Sequence, residues 1–506
     1  MPMNLDDLLR KGAAASNHRP WPRANVTAAT WTDATAELVE GSLQLLGLWG
    51  EPDAIHMALL DATKQTIGVI TLACPQRRYP SVGLHHPPAL RLERAIRDLF
   101  GLEAEGLPDP RAWLDHGKWD LRHPLAEKPE PAPIRTDYAF LPVEGDGLHQ
   151  IPVGPVHAGI IEPGHFRFTA NGETVVRLEA RLGYVHKGIE SLMAGATTTA
   201  ACGLAARASG DSTVAYALAF ARAVEAALGV EAPARAACLR ALMAEMERLA
   251  NHIGDFGAIC NDASFGLMLA HCAVLREKVL RASRDIFGHR LMRDRIEPGG
   301  VAADDLGNDG IKTIRSLVQE IRARFPALVD LYDNTASLQD RTVTTGTVKA
   351  ELARQYAPGG FIGRASGRAF DARKTPGYPP YDKLNFEVPL LDAGDVNARV
   401  WIRIREIEQS LSLVNQLLEQ MPQGPVRIEL PVAGKACEGM ALVEGFRGDI
   451  LAWLRLNPDN SVARCHLRDP SQFQWPLVEA AIKDNIVADF PLCNKSFNCS
   501  YSGQDL

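Results

Sequence analysis

An α+β fold is expected for this chain: a mixed α+β domain at the N-terminus, then a large helical bundle flanked by small β-sheets. Three observations predict it. The stretch "IHMALLDATKQTIGVITLAC" (55–74) alternates as strands do. From about 188 to 335, and again after 391, apolar residues recur at helical spacing over long runs. Between these regimes, residues 126–150 are rich in Pro and charge and read as an exposed linker. The expected division is therefore 1–125, 126–150 and 151–506.

In chain order, "ALRLERAIRDLFGLEAEG" predicts an amphipathic helix stopped by Gly101. "GHFRFTANGETVVRLEARLGYVHKG" predicts a hairpin turning at Asn171-Gly172. "STVAYALAFARAVEAALG" is a long apolar helix with Gly229 as its stop. The next run, through "ERLANHIGDFGAICNDASFGLML", reads as two helices broken near Gly254 and Gly257. Two further helices are expected through "IKTIRSLVQEIRARFPALVDLYDN" and "DAGDVNARVWIRIREIEQSLSLVNQLLEQM". After "QGPVRIELP" the chain is expected to return to short strands.

The 506 residues are more than one core usually serves, and two or three domains are expected. A net charge of −7 without a clustered basic face argues against nucleic acid. No run of about 18 apolar residues predicts a membrane span, and the N-terminus lacks the apolar stretch of a secretory signal. Nine cysteines, several within helical patterns, predict reduced thiols that pack as small core residues. There is no G-x-S-x-G, P-loop, H-E-x-x-H or C-x-x-C.

Chemistry must then lie in polar groups set among apolar ones. Three stretches carry them: "GPVHAGIIEPGHFRF" with His157, Glu162 and His165; "RLGYVHKGIE"; and "EMERLANHIGDFGAICNDASF". On helical spacing Arg248, His252 and Asp255 share a face, as do Glu247, Asn251 and Asp255. Such groups either fix helix register or polarise a ligand in a cleft.

Several of these blocks resemble a known family. "YPSVGLHHPPALRLERAIRDLFGLEAEG" is similar to the small hydrophilic 30 kDa subunit of complex I. "RLGYVHKGIESLM", "MERLANHIGDFGAICNDASF", "RASGRAFDARKTPGYPPYDKLNFEVPLLDAGDVNARVWIRIREIEQS" and "LRDPSQFQWP" follow in the order of the family joining two proteins. One is the 49 kDa quinone-site subunit of complex I; the other is the large subunit of membrane-bound, formate hydrogenlyase-type [NiFe] hydrogenases. The resemblance implies a [NiFe]-hydrogenase large-subunit-like fold for the second domain.

It also implies four nickel-binding thiolates in two C-x-x-C pairs. Anchored on "STVAY" (212–216), the first pair falls on "LAAR" (204–207), with Cys202 two residues too early. Anchored on "ADFPL" (488–492), the second falls on Ser500 and Gly503, with Cys499 at a proline position. All four thiolates are therefore expected to be missing, and nickel with them. The short end after Gly503 implies no extension to be removed after nickel insertion.

On the quinone side, the resemblance implies a ligand His at His157 or His165, supported by Asp262. Gly210 stands near the position of a quinone-binding Tyr, and Arg207 matches a basic residue there. Glu162 matches a glutamate that starts a proton path. The implied function is a non-nickel large subunit of a complex I-like oxidoreductase, with a quinone-type cavity beside an iron–sulfur small subunit. Antiporter-like membrane subunits would be its other partners, holding it at the cytoplasmic face of the inner membrane. The electron donor (NADH, formate, hydrogen or ferredoxin) would be set by other subunits. The alternatives are a structural coupling subunit with a collapsed cavity, and a surviving hydrogenase.

Overall fold

A computed structural model of the chain describes residues 3–132, 137–303 and 306–506. Residues 133–136, inside the stretch expected as a linker, lie outside the described residues. The N-terminal sheet is built from β1 (Ala13–Ala14), β3 (Arg23–Val26), β4 (Gln44–Glu51), β5 (Ala54–Asp61) and β6 (Thr66–Ala73), in the order β1-β3-β6-β5-β4. The alternating run forms β5 and β6, paired antiparallel from Ala54 opposite Ala73 to Asp61 opposite Thr66. Helix α1 (Leu90–Phe100) covers β4 and ends where Gly101 takes φ 67°, a conformation that costs glycine nothing.

Strand β2 (His18–Arg19) leaves this sheet. It pairs parallel with a strand near the other end of the chain. That strand, β10 (Cys437–Gly445), forms an antiparallel meander with β11 (Gly448–Leu456) and β12 (Val462–Arg468). The two sheets meet over an aromatic pile in which Trp49 stacks on His56 and on His466, each at 5.2 Å. Ion pairs from Arg455 to Glu51 (2.7 Å) and from Arg23 to Glu438 (3.1 Å) cross the same seam.

Between them comes the meander β7 (Leu148–Val153), β8 (His165–Asn171) and β9 (Thr174–Arg181), turning at Gly172 as the Asn-Gly signal predicts. The bundle consists of α2 (Thr198–Ala205), α3 (Thr213–Leu228), α4 (Ala234–Asp262), α5 (Gly266–Phe287), α6 (Asn308–Asp333) and α7 (Val396–Glu419). Gly229 stops α3 at φ 67°, and Asp395 caps α7 through Ala398 N–H.

One expectation is corrected. Helix α4 runs unbroken through Gly254 and Gly257, and the break falls at 263–265. The glycines serve packing instead: a Cβ at 254 would lie 2.7 Å from Arg276 Cδ, and one at 257 would lie 2.6 Å from Cys272 Cβ. Their absent side chains let α5 approach α4 closely. The tail is also corrected: beyond β12 it is helical, with α8 (Ser471–Ala481), α9 (Phe490–Phe497) and α10 (Tyr501–Asp505).

Candidate functional site

The tail, the loop between β7 and β8, the turn before α3 and the β10–β11 turn enclose a cavity of about 320 Å³. Of the six positions expected to carry the site, Glu162 and Gly210 line it, beside Ser209, Asp211, Arg447, Lys495, Asn498, Cys499, Ser500 and Ser502. Local sequence places each of them. Gly445 and Gly448 bracket the tight turn that presents Arg447. Asn498 closes α9 in the left-handed region (φ 46°) and swings the chain round. Ser500 then caps α10, its hydroxyl accepting from Gly503 N–H at 2.8 Å.

Arg447 is the electrostatic centre. Its guanidinium donates to Asp211 (2.6 Å), to Ser212 Oγ (3.2 Å) and to the Asn498 carbonyl. Burial alone would raise the Asp211 carboxyl, but Arg447 outweighs it and holds the group below the ordinary value.

Helix α4 supports the lining from behind. Glu247 accepts from the N–H groups of Val214 (2.7 Å) and Ala215 (3.1 Å) at the start of α3. Asn251 donates to the Asp211 carbonyl (2.7 Å), and Asp255 accepts from Asn498 (2.9 Å) and Arg403 (3.2 Å). These three share the face that their spacing predicts. Arg248 and His252 turn away instead, and both meet Glu406, at 3.6 and 2.8 Å. Burial pushes the Glu247 carboxyl up to about 8, against the pull of its two backbone donors.

The expected thiolate positions resolve in an unexpected way. Leu204 and Arg207 line a different cavity, where Arg207 grips Asp294 with bonds of 2.8 and 2.9 Å. Cys202 is buried there against the Ile296 carbonyl. What faces the tail is Ser209, whose Oγ lies 2.9 Å from Ser500 Oγ, with Ser212 held to the same Arg447. Ser209-Gly-Asp-Ser212 has the two-residue spacing of a C-x-x-C pair and begins five residues beyond the start of the stretch expected from the "STVAY" anchor. That spacing of small hydroxyl residues just before a long helix was the signal available in the sequence.

These donors do not fit nickel. Hydroxyls stand at 209, 212 and 500, and soft thiolates are what such a centre requires. A Cβ at Gly503 would lie 2.3 Å from Asp469 Oδ2, so no thiol fits there as the chain is built. Cys499 points elsewhere, its Sγ 3.9 Å from Gln474 Oε1, and burial raises its pKa, keeping it protonated.

The other expected residues, His157, His165 and Asp262, do not line the cavity. His157 Nε2 bonds the Gly164 carbonyl (2.8 Å) and His165 Nδ1 bonds the Gly154 carbonyl (3.0 Å), so the two rings cross-tie the loop that carries Glu162. Asp262, at the end of α4, has its carboxyl raised by burial, with the Lys495 ammonium opposing. Arg447 and Lys495 escaped sequence reading, because nothing local marks them.

Three families match the chain. Residues 49–139 match "Respiratory-chain NADH dehydrogenase, 30 Kd subunit", 265–435 match the "49 Kd subunit" of the same enzyme, and 187–260 match "Nickel-dependent hydrogenase". Formate hydrogenlyase subunit 5 of Escherichia coli K12 is 32% identical over 440 residues, 84% of this chain and 77% of that one. The C/D subunit of the NADH-quinone oxidoreductase of Bacteroides fragilis is 27% identical over 413 residues, 77% of each chain. A chain of the membrane-bound sulfane sulfur reductase, an archaeal respiratory membrane complex, superposes with a TM-score of 0.68 at 25% identity. The match covers 72% of this chain and all of that one. Among the described residues no helix is long and apolar enough to cross a membrane. By its two-part organisation and its likeness to formate hydrogenlyase subunit 5, the chain belongs to the family of fused complex I-type 30 kDa and 49 kDa subunits with hydrogenase large-subunit-like members.

Proposed function

We propose that the chain is the large subunit of a membrane-associated complex I-like oxidoreductase that works without nickel and holds a quinone-type acceptor in the serine-lined cavity. The observation that carries this reading is the open cavity: a Cβ added at Gly210 would meet nothing within 4 Å, although walls of hydroxyls and charge surround it. The Lys495 ammonium supplies a donor for a carbonyl oxygen of an acceptor, beside a polar wall in which the Ser209 hydroxyl donates to Asp211 (2.8 Å) and lies 2.9 Å from that of Ser500. Glu162, whose carboxylate accepts from Ser502 N–H at 3.2 Å, is the group at the rim able to exchange protons. Electrons would come from an iron–sulfur cluster in a partner subunit, so the isolated chain is expected to be inactive. Protons would pass towards antiporter-like membrane subunits, which would hold the chain at the cytoplasmic face.

The test uses the purified whole complex, reduced by viologen, with a short-chain quinone as acceptor. Glu162→Gln and Lys495→Met are each expected to lower turnover about 100-fold, the low end of general acid–base contributions. Full turnover in both variants overturns the reading and leaves a structural coupling subunit.

A further inference from the structure

A second cavity, of about 370 Å³, lies on the far side of the tail helix α10, where the N-terminal domain meets the bundle. Its floor is apolar, from Leu92, Ile96 and Leu99 on α1. Its opposite wall is polar and peculiar. Gln472 Oε1, Gln504 Oε1, Asp505 Oδ1 and His466 Nε2 belong to residues that line it, are buried, and have no hydrogen-bond partner among the described residues. Orphaned buried polar atoms are rare because each forfeits its hydration for nothing. Here four gather at one place.

Their chemistry is defined. The other Asp505 oxygen is held by the N–H groups of Gly183 (2.9 Å) and Val185 (3.1 Å), so Oδ1 is the free one. His466 Nδ1 lies 2.8 Å from Glu190 Oε1, and Arg464 donates to the other oxygen of that carboxylate at 2.7 Å. Glu190 is thereby kept ionised and takes the Nδ1 proton in a hydrogen bond, leaving Nε2 as an acceptor. The orphans of Gln472, Gln504 and His466 therefore call for a donor, and Asp505 Oδ1, on a carboxyl that burial pushes up to about 7, can accept or donate. Two unpaired donors, Arg91 Nη1 and Arg464 Nε, belong to the same lining. A hydroxyl is the smallest neutral group that both donates and accepts.

We propose that this junction cavity binds a small apolar molecule bearing a hydroxyl, of the alcohol or phenol class, with its body on α1 and its hydroxyl at the Gln504–Asp505 wall. A bicyclic phenol suits the volume, which lies within the range of small-molecule pockets, ~300–1,000 Å³. Such a guest would bridge the N-terminal domain and the tail.

The test is calorimetric titration of the full chain with 2-naphthol, beside naphthalene as the same body without a hydroxyl. Saturable binding of 2-naphthol is expected, with naphthalene about ten-fold weaker, the scale of one net hydrogen bond. Ala95→Trp and Leu99→Trp, both at partly exposed sites on α1, fill the cavity and are expected to abolish binding while thermal melts confirm folding. Gln504→Leu is expected to narrow the gap between the two probes. No saturable heat, equal affinity for both probes, or unaltered binding in either folded Trp variant overturns the proposal.

Discussion

Helix α10 divides two cavities that treat polar groups in opposite ways. On the serine side the protein satisfies itself: Arg447 has Asp211, Ser500 has Ser209 and Gly503 N–H, and Ser502 N–H has Glu162. On the junction side the orphaned atoms of Gln472, Gln504, Asp505 and His466 belong to residues that line a chamber with an apolar floor. The difference separates two kinds of site. A self-paired wall keeps its shape when empty and can receive a guest without rearranging, whereas an unpaired wall gains most of its satisfaction from the guest.

The sharpest way to break the serine side is Asp211→Ala. It strands a buried guanidinium, and loss of one partner of a buried pair costs about 3–5 kcal/mol. About 3 kcal/mol is expected, because the Asp211 side chain keeps 33% exposure and Arg447 retains Ser212 and the Asn498 carbonyl. Denaturant unfolding measures it; a loss below about 1 kcal/mol would mean that Arg447 is not the wall's anchor.

Two glycines sharpen the contrast next. Gly503→Ala forces a methyl group against Asp469, whose Oδ2 also accepts from Tyr216 OH at 2.5 Å, and overpacking of this kind costs about 1–3 kcal/mol. Gly210→Leu points into open space at a position without a positive φ. Its expected stability change stays within about 0.5 kcal/mol, while quinone turnover of the complex is lost because the cavity is filled. Equal destabilisation by the two substitutions would show that the cavity is not open at Gly210.

The smallest effect is in pH. Glu247 at the serine side is raised to about 8 and Asp505 at the junction to about 7, both by burial. In the unfolded chain both ionise near their ordinary values, about 4. The folded state therefore binds more protons above that point, and stability falls as pH rises towards the folded pKa. Buried His18, His86 and His116, lowered to about 4, act in the opposite sense, but only up to their ordinary value of 6.5. The clean window is thus pH 6.5 to 8, where the midpoint of unfolding should drop. Glu247→Gln should flatten that drop more than Asp505→Asn does; the reverse order would place the more strongly shifted acid at the junction.

The sequence disclosed what is local. Gly101, Gly172 and Gly229 stop or turn their elements where expected, and the alternation of 55–74 becomes two paired strands. It misled where a residue serves a distant neighbour. Gly254 and Gly257 look like helix breaks, yet they make room for Arg276 and Cys272 on the next helix. Ser209 and Ser500, almost three hundred residues apart in the chain, meet at 2.9 Å, and no local pattern announces that contact. The junction cavity was invisible for the same reason, since its walls come from both ends of the chain. The tail positions 500 and 503 and the stretch 204–207 were expected from the resemblance alone; what the fold brings to Ser500 is Ser209, five residues beyond the start of that stretch.

The pairing of β2 with β10 bears on how the molecule is made. Residues 18–19 leave the ribosome early, whereas 437–445 follow only after the whole bundle has been synthesised, at about 5–20 residues per second. Until then one edge of the aromatic pile lacks Trp453 and His466, and β2 has no partner. The nascent N-terminal domain therefore waits, half-covered, for the last strands to arrive. Their docking completes the four-stranded sheet, and only the tail that follows can wall off both cavities. Proteolysis of stalled nascent chains should consequently cut near residues 18–19 until β10 emerges, and spare them afterwards.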